Sequence, residues 1–460
     1  MATYLGGKHT YSDSASGVLY TDRRQFYLNN KVAELYPEAT PFLAFVNKLK
    51  VENKPDDPEF KMFTHESQWV DMDFYSAEAI NWDASSWDGT YDDWSIDNGA
   101  GVGVGFLQKG DIIEIKAASA GTRNTGNGGS GSVAANQVIA RCVITDMYTV
   151  ASGVCTAISV ENLSYTGADT YDVADNDLVR VISSAATEGS TSTDGWNDEL
   201  SVVWNQTQII KSPYKVSNTI KAAVLRGYPD ELMRLRSEHG KFHNVKINNA
   251  FLRGYAMKPG SLSTRATAFS AFTDPNSDTN ASGEQIRATW GIIPLLETYG
   301  TANEQVFSRQ WASYDVDAFI DDMTARQKYF NSDKVVEYAF AGRKFMAELS
   351  KTGPNSFMAR SGGSFELLKP RDTAIGFQIR TLVHPFGMIH IALDPSLRDD
   401  PYTNMMVIVN PEDIGRVIYR PDEFQAGIQA NDADHIKEQY LSDTGLVVSQ
   451  VKKHALFKMN

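Results

Sequence analysis

Between Asp56 and Ala100 the chain places twelve acidic residues against a single base, Lys61, and interleaves them with Trp69, Trp82, Trp87 and Trp94. Unpaired carboxylates cannot be buried cheaply, so this stretch suits a long β-hairpin or projecting loop better than a core element. It holds most of the formal charge of −14, and the rest of the 460 residues is nearly neutral. One region is basic: from Lys221 to Gly254 seven Lys/Arg stand against Asp230, Glu231 and Glu238. An acidic aromatic loop and a basic helix in one chain suggest a self-complementary surface, each copy docking its loop on the next copy's helix.

A sequence pI of about 5.1 argues against a tight stoichiometric grip on nucleic acid, though not against enclosing it. No apolar run approaches the roughly 18 residues that span a bilayer, and the first residues lack the apolar core of a secretory signal. Cys142 and Cys155 fall in one β-rich stretch. A hairpin disulfide is open to them, but buried thiols are the expectation, and a zinc site needs more ligands than this pair brings.

Along the chain, polar residues 1–25 read as an extended arm, followed by a short helix over 26–36 and another through Phe42, Phe45, Val46 and Leu49. Gly110 to Gly189 reads as a small β module with strands at 111–116, 138–144, about 158–160 and 178–182; its segment 120–131 reads as a flexible loop. The best helix runs from Pro229 to Gly254, with Pro in the first turn and Asp230-Glu231 set to complement the dipole. Its stripe is traced through Leu232, Leu235, His239, Phe242, Lys246 and Ala250. Further helices are expected over 315–330 and 337–350, then strands at 375–380, 388–391, 405–409, 416–419 and 446–451.

Chemistry is hard to find. His239 and His243 lie four apart, but the order is not that of a zincin helix, and a structural or interface role is favoured. The series Asp83, Asp88, Asp92, Asp93, Asp97 lacks the order of a calcium loop, and density alone does not diagnose paired catalytic carboxylates. It reads as a solvated or intersubunit face. No nucleophile elbow or catalytic-cysteine signature appears, so the expectation is no enzyme, no metal and no cofactor.

Several segments carry a resemblance. They are Ala39-Thr-Pro-Phe-Leu-Ala-Phe-Val-Asn-Lys-Leu, Lys109-Gly-Asp-Ile-Ile with the Glu188-Gly189 pair, the run Arg236 to Gly254, and Thr289-Trp-Gly-Ile-Ile-Pro-Leu-Leu. Asn410-Pro-Glu-Asp-Ile-Gly-Arg-Val-Ile-Tyr-Arg and the closing Gly445 to Ala455 add to them. In order and texture the chain resembles the major capsid proteins of tailed double-stranded DNA bacteriophages. Where that family often carries an acid, this chain has Asn248.

The resemblance implies an α+β, Hong Kong 97-type fold. Its parts would be an N-terminal arm (1–55), an extended loop (56–109), a β-rich insertion (110–189), a peripheral domain with a spine helix at about 229–254 (190–310), an axial domain (311–410) and a return to the peripheral domain (411–460). In that fold the extended loop lies across the neighbouring subunit's spine helix. The expected intersubunit pairs draw on Asp71, Asp73, Asp83, Asp88, Asp92 and Asp93 against Arg234, Arg236, Lys241 and Lys246 of an adjacent copy. Trp82, Trp87 and Trp94 would be the buried anchors.

The function implied is a self-assembling capsid protein of the virion, made in the host bacterial cytoplasm. Its partner would be itself, as hexamers and pentamers of an icosahedral shell that encloses double-stranded DNA without reading its sequence. Portal, scaffold or decoration proteins are further candidate partners, and no membrane is. The alternative is an extracellular β-rich carbohydrate-binding or glycan-active protein using the Trp/Asp-rich segment as a sugar platform.

Overall fold

The computed structural model describes residues 40–53, 55–65, 72–82, 90–99, 101–125, 129–150, 154–163, 171–186, 188–191, 200–223, 230–256, 287–327, 329–330, 335–350, 366–367, 371–372 and 378–459. The arm, the helix expected over 26–36, and Asp71, Asp83, Trp87 and Asp88 lie outside them. The chain forms two units, one from residues up to Phe60 with 204–326 and 332–460, the other from 61–203 with 327–331.

The first unit opens with helix α1 (Pro41–Lys48) and strand β1 (Lys50–Asn53). Thr40 gives α1 no side-chain cap. Its early N–H groups are met from elsewhere instead, Leu43 N donating to Asn248 Oδ1 at 2.8 Å and Phe42 N to Asp394 Oδ2 at 3.4 Å. Helix N-termini need such acceptors, and here two distant residues supply them. Asn248 also donates to both Asp394 oxygens at 3.2 Å, so the helix brings the amide and Asp394 the carboxylate to this contact.

The chain leaves along β2 (Glu59–Thr64) and returns along β11 (Ser201–Gln206), which pair as a two-stranded ladder. Between them come β3 (Asp73–Ser76), β4 (Thr90–Asp97), β5 (Asp111–Lys116), the hairpin β6 (Gly121–Asn124) and β7 (Ser130–Val133), β8 (Val138–Val150), β9 (Val154–Asn162) and β10 (Leu178–Ser184). Six of these close a barrel in the order β10-β3-β4-β9-β8-β5. Strand β5 shows why: Asp111, Ile113 and Ile115 point in while Ile112, Glu114 and Lys116 point towards solvent.

The barrel corrects two expectations. Its wall includes β3 and β4, so the module does not begin at 110 but takes in much of the stretch assigned to an extended loop. The segment 120–131 is also largely a paired hairpin rather than a floppy loop.

Cys142 and Cys155 are free and buried in the barrel core, and burial pushes both thiols above the ordinary range. We expect neither to react with Ellman's reagent at pH 8 until guanidinium unfolds the chain, when both should label. Fast labelling of the folded protein would show that the barrel opens locally.

Strand β11 (Ser201–Gln206) leads into β12 (Gln208–Ser217), the short α2 (Asn218–Ala222) and the long α3 (Glu231–Arg253). Asp230 caps α3, its carboxylate accepting from Leu232 N and Met233 N. Gly254 ends the helix, where an added Cβ would meet Ala250 O at 2.3 Å. The buried stripe is Leu232, His243, Ile247, Phe251 rather than the line through Phe242, Lys246 and Ala250. An i, i+4 repeat from His239 fits as well in sequence as the neighbouring one, and the sheet beneath selects it. His243 locks the choice, Nδ1 facing Ser212 Oγ at 3.1 Å and Nε2 facing Ser442 Oγ at 2.6 Å.

Next come α4 (Ile292–Tyr299), β13 (Val306–Arg309), α5 (Val316–Gln327), β14 (Val335–Ala341) and α6 (Arg343–Ser350). The helix expected over 337–350 therefore holds only from 343. Val-Val-Glu-Tyr-Ala-Phe-Ala is β-branched and aromatic, and it is recruited as a strand. The short β15 (Glu366–Leu367) and β16 (Arg371–Asp372) precede β17 (Gln378–His384), β18 (Gly387–Leu393), β19 (Met405–Val409), β20 (Ile414–Gln425), β21 (His435–Val448) and β22 (Ala455–Met459).

Two sheets organise this unit. One has the order β1-β20-β21-β12 and carries α3 on β12 and β21 through Tyr214, Val216, Leu232, Leu235 and Tyr440. The other runs β13-β22-β19-β14-β18-β17-β15. Its one face buries Phe319, Met323, Phe345 and Leu349 of α5 and α6; on β14, Phe340 meets Phe42 and Phe45 of α1. Strand β22, assigned from sequence to the peripheral return, belongs to this second sheet, in register with β13 and β19.

Candidate intersubunit interface

In β3 and β4 the acids and aromatics of the Asp/Trp segment take opposite sides of the same strands. Phe74, Trp94 and Ile96 point into the barrel, and Asp73, Asp92 and Asp93 do not. A bulge between Tyr91 and Trp94 sets this up, with Asp92 and Asp93 occupying the irregular stretch opposite β9 and Asp93 at φ 60°. A bulge turns extra residues outward, and Asp is among the few residues that accept positive φ. Both carboxylates are exposed. Burial, then the negative charges of Glu78 and Asp93, hold the Tyr91 hydroxyl above its ordinary pKa. The outer face of β4 is therefore a negative surface.

Trp82 and Trp94 are not on that surface. Trp94 is fully buried and donates Nε1–H to Ser76 Oγ at 2.8 Å; Trp82 is 4% exposed in the same core, its backbone N–H held by Asp172. Burying an indole of roughly 200 Å² stabilises by about 5 kcal/mol. That gain is already taken inside the barrel, so Trp82 and Trp94 cannot anchor a neighbouring copy as the sequence suggested. Asp73 is likewise engaged, in a two-pronged pair with Arg180 at 2.5 Å.

On α3 the expected cations divide. Arg234 is clamped by Glu231 at 2.6 Å and Glu238 at 2.7 Å on its own helix. Arg236 makes two bonds to Glu438 of β21, at 2.6 and 2.8 Å, and its guanidinium lies 5.4 Å from the Phe424 ring centroid. Arg236 first, and then the Tyr214 hydroxyl, hold Glu438 below the usual carboxylate range. Arg234 and Arg236 thus find counter-charges within their own chain. Lys241 is half-exposed. Lys246 is exposed, and its ammonium donates to Lys211 O and Ser212 Oγ rather than to a carboxylate.

The Glu231-x-x-Arg234-x-x-x-Glu238 spacing was readable as cis pairing, whereas Glu438 lies two hundred residues away and gave no local signal. Among the described residues no group of three His, Cys, Asp or Glu is arranged to hold a metal ion, and no helix is long and apolar enough to cross a membrane.

A family model described as SU10 major capsid protein matches residues 15–459. No curated protein sequence matches the chain. Among solved structures, the capsid of Myoviridae phage XM1 is similar at 12% identity and a TM-score of 0.38, over 60% of this chain and 81% of that one. The capsid of a native GTA particle is similar at 9% identity and 0.41, over 95% and 96%. The satellite phage P4 procapsid with its size determination protein gives 12% and 0.32, over 61% and 85%.

Proposed function

Because the chain belongs to the SU10 major capsid protein family, and is therefore a shell-forming protein whose partner is itself, we propose that it closes into an icosahedral head of hexamers and pentamers on a Hong Kong 97-type fold. The family match over almost the whole chain carries this reading. In it the sheet bearing α3 serves as the peripheral domain and the sheet bearing α5 and α6 as the axial domain. The barrel is an outward decoration or a contact between capsomers. Portal, scaffold or decoration proteins would complete the head. Negative-stain microscopy and light scattering of the expressed protein should show capsomers, shells or tubes. A stable monomer at all concentrations would overturn the reading.

Within the shell, the acidic segment contacts cations of a neighbouring copy. Asp92 and Asp93, with Asp71, Asp83 and Asp88 of the same segment, supply the negative side; Lys246 of α3 supplies the positive side, with Lys241 on the same helix. Arg234 and Arg236 contribute less, because their carboxylate partners are already present. Each copy gives one such contact and receives another, which is how heterologous interfaces close into rings. Single exposed ion pairs are worth well under about 1 kcal/mol, so their effect depends on repetition.

Replacing Asp92 with Lys and Asp93 with Asn, which tolerates the positive φ, should lower particle yield several-fold with unchanged circular dichroism. Adding Lys246→Glu should restore part of it. Full yield in the double variant would remove these acids from the contact.

A further inference from the structure

Beside the C-terminal half of α3, where it passes the edge strand β12, lies an open groove of about 550 Å³. Its lining includes Lys211, Lys246 and Arg253, together with the amides of Gln208 and Asn249 and the ring of Tyr255. It contains no carboxylate. Among the described residues, none of the three cations makes an ion pair. Lys246 donates to Lys211 O and Ser212 Oγ, and Arg253 donates to Asn249 Oδ1 at 3.0 Å while lying over the Tyr402 ring at 5.0 Å. Among the described residues Arg234, Arg236, Arg309 and Arg326 are, by contrast, each met by a carboxylate. Here three cations surround one groove whose lining holds no carboxylate.

We infer that this groove takes the phosphodiester backbone of duplex nucleic acid. Lys246 and Arg253 are seven residues apart, two turns along one face of α3, which sets them about 10.5 Å apart along the axis. A duplex presents a phosphate charge for roughly every 1.7 Å of its length, so a row of fixed cations on that scale meets several phosphates at once. The side-chain amides add neutral donors that suit phosphate oxygens. Tyr255, 68% exposed, is held edge-on to Trp290 with centroids 4.7 Å apart, a fixed ring at the rim against which sugar can pack.

Nothing in the lining distinguishes one base from another, so the contact is sequence-independent. The inference rests on the shell-protein reading, whose cargo is a genome. It gives that shell a weak, repeated, salt-sensitive hold on the DNA despite the acidity of the chain. The other polyanion within reach is an acidic segment of a second copy. The docking contact proposed above uses Lys246 but neither Lys211 nor Arg253; for these two cations duplex is favoured, because Asp92 and Asp93 stand on a barrel strand whose aromatic side is already buried. They bring no apolar anchor to a site with Ile209, Ile210 and Tyr255 in its wall.

The test uses full-length protein kept below its assembly concentration and a fluorescein-labelled 20-base-pair duplex, read by anisotropy from 50 to 300 mM salt. The Lys211→Gln/Arg253→Gln variant, which leaves the docking lysines Lys241 and Lys246 intact, should bind at least about ten-fold more weakly at 0.1 M salt. The slope of log affinity against log salt should shrink by about 1.8, two lost phosphate contacts at roughly 0.9 each. Lys211→Arg/Arg253→Lys should keep both. Equal affinity and slope in the Gln variant overturn the inference, as does a wild-type protein that fails to bind duplex at 50 mM salt. Lost assembly with unchanged duplex binding also overturns it, and assigns the groove to a neighbouring copy. Particles that form normally while duplex binding is unaffected leave the capsid reading standing and this one refuted.

Discussion

Replacing Glu337 with Ala should lower the free energy of unfolding by about 3–5 kcal/mol, read by urea denaturation of the unassembled protein. Glu337 and Arg326 are both buried to 1% exposure or less, and the guanidinium donates to the carboxylate at 2.6 and 3.3 Å. A second bond from Nη2 reaches Lys453 O at 2.7 Å, tying α5 to the turn before β22. Removing the carboxylate leaves a buried positive charge beside Met323 without the acceptor that faces both of its Nη atoms.

The pair itself is a different matter, since two charges in low dielectric roughly repay their own desolvation. Arg326→Met with Glu337→Leu should therefore recover most of the loss, short of the donor missing at Lys453 O. A loss below about 1 kcal/mol in Glu337→Ala would mean that water reaches Arg326 and that the helix packs more loosely than drawn.

The second large effect is acid lability of the same sheet. His454 is fully buried, its Nδ1 accepting from Asn410 N and its Nε2–H pointing to Ser449 O. His384, on β17, accepts from Phe386 N through Nδ1. Burial, opposed for His454 by Asp413 and reinforced by Arg326 and Lys453, lowers its pKa to about 4; burial and Arg326 lower His384 to about 4 as well. Between that value and the ordinary 6.5 the unfolded chain binds protons that the folded chain refuses. Stability is thus fully present above pH 6.5 and is lost as pH falls towards 4, by roughly 3 kcal/mol for the fully buried His454. Urea midpoints should fall steeply across that window, and His454→Gln should flatten the slope even though it weakens the fold at neutral pH. A pH-independent midpoint between 6.5 and 4.5 would mean that both imidazoles are solvated.

Much of the architecture was legible because it rests on local chemistry. Asp230 and Gly254 bracket α3 within a residue or two of where the sequence placed its ends; alternation in 111–116 and 138–144, and the continuous apolar run 405–409, marked strands correctly. What failed was whatever a partner decides. His243 rather than Phe242 turns inward because Ser212 and Ser442, far away in sequence, wait for it. Val335–Ala341 is a strand because β18 and β19 flank it.

The acidic segment is the most instructive case. Its charges suggested a projecting loop, yet Asp73-Phe-Tyr-Ser and Asp92-Asp-Trp-Ser-Ile-Asp alternate with the period of a half-buried strand. Net charge masked that alternation, since one face of a barrel holds as many acids as solvent will bear. The interface residues divide on the same line. Asp92 and Asp93 are exposed on the bulge of β4, while Trp82, Trp94, Asp73, Arg234 and Arg236 are committed within the chain by partners invisible to local reading.

The ladder of β2 and β11 shuts where the barrel begins, with the Thr64 and Ser201 hydroxyls bonded to each other and Ser201 Oγ also donating to Thr64 O. A strand pair that is zipped at its tip fixes the two cut ends side by side, whatever is strung between them. Such a port accepts foreign cargo: any domain whose own termini lie about 5 Å apart could be spliced there without asking the surrounding framework to move. Natural variation in head proteins of this kind would then accumulate at that port as whole-module gain, loss and exchange rather than as point change.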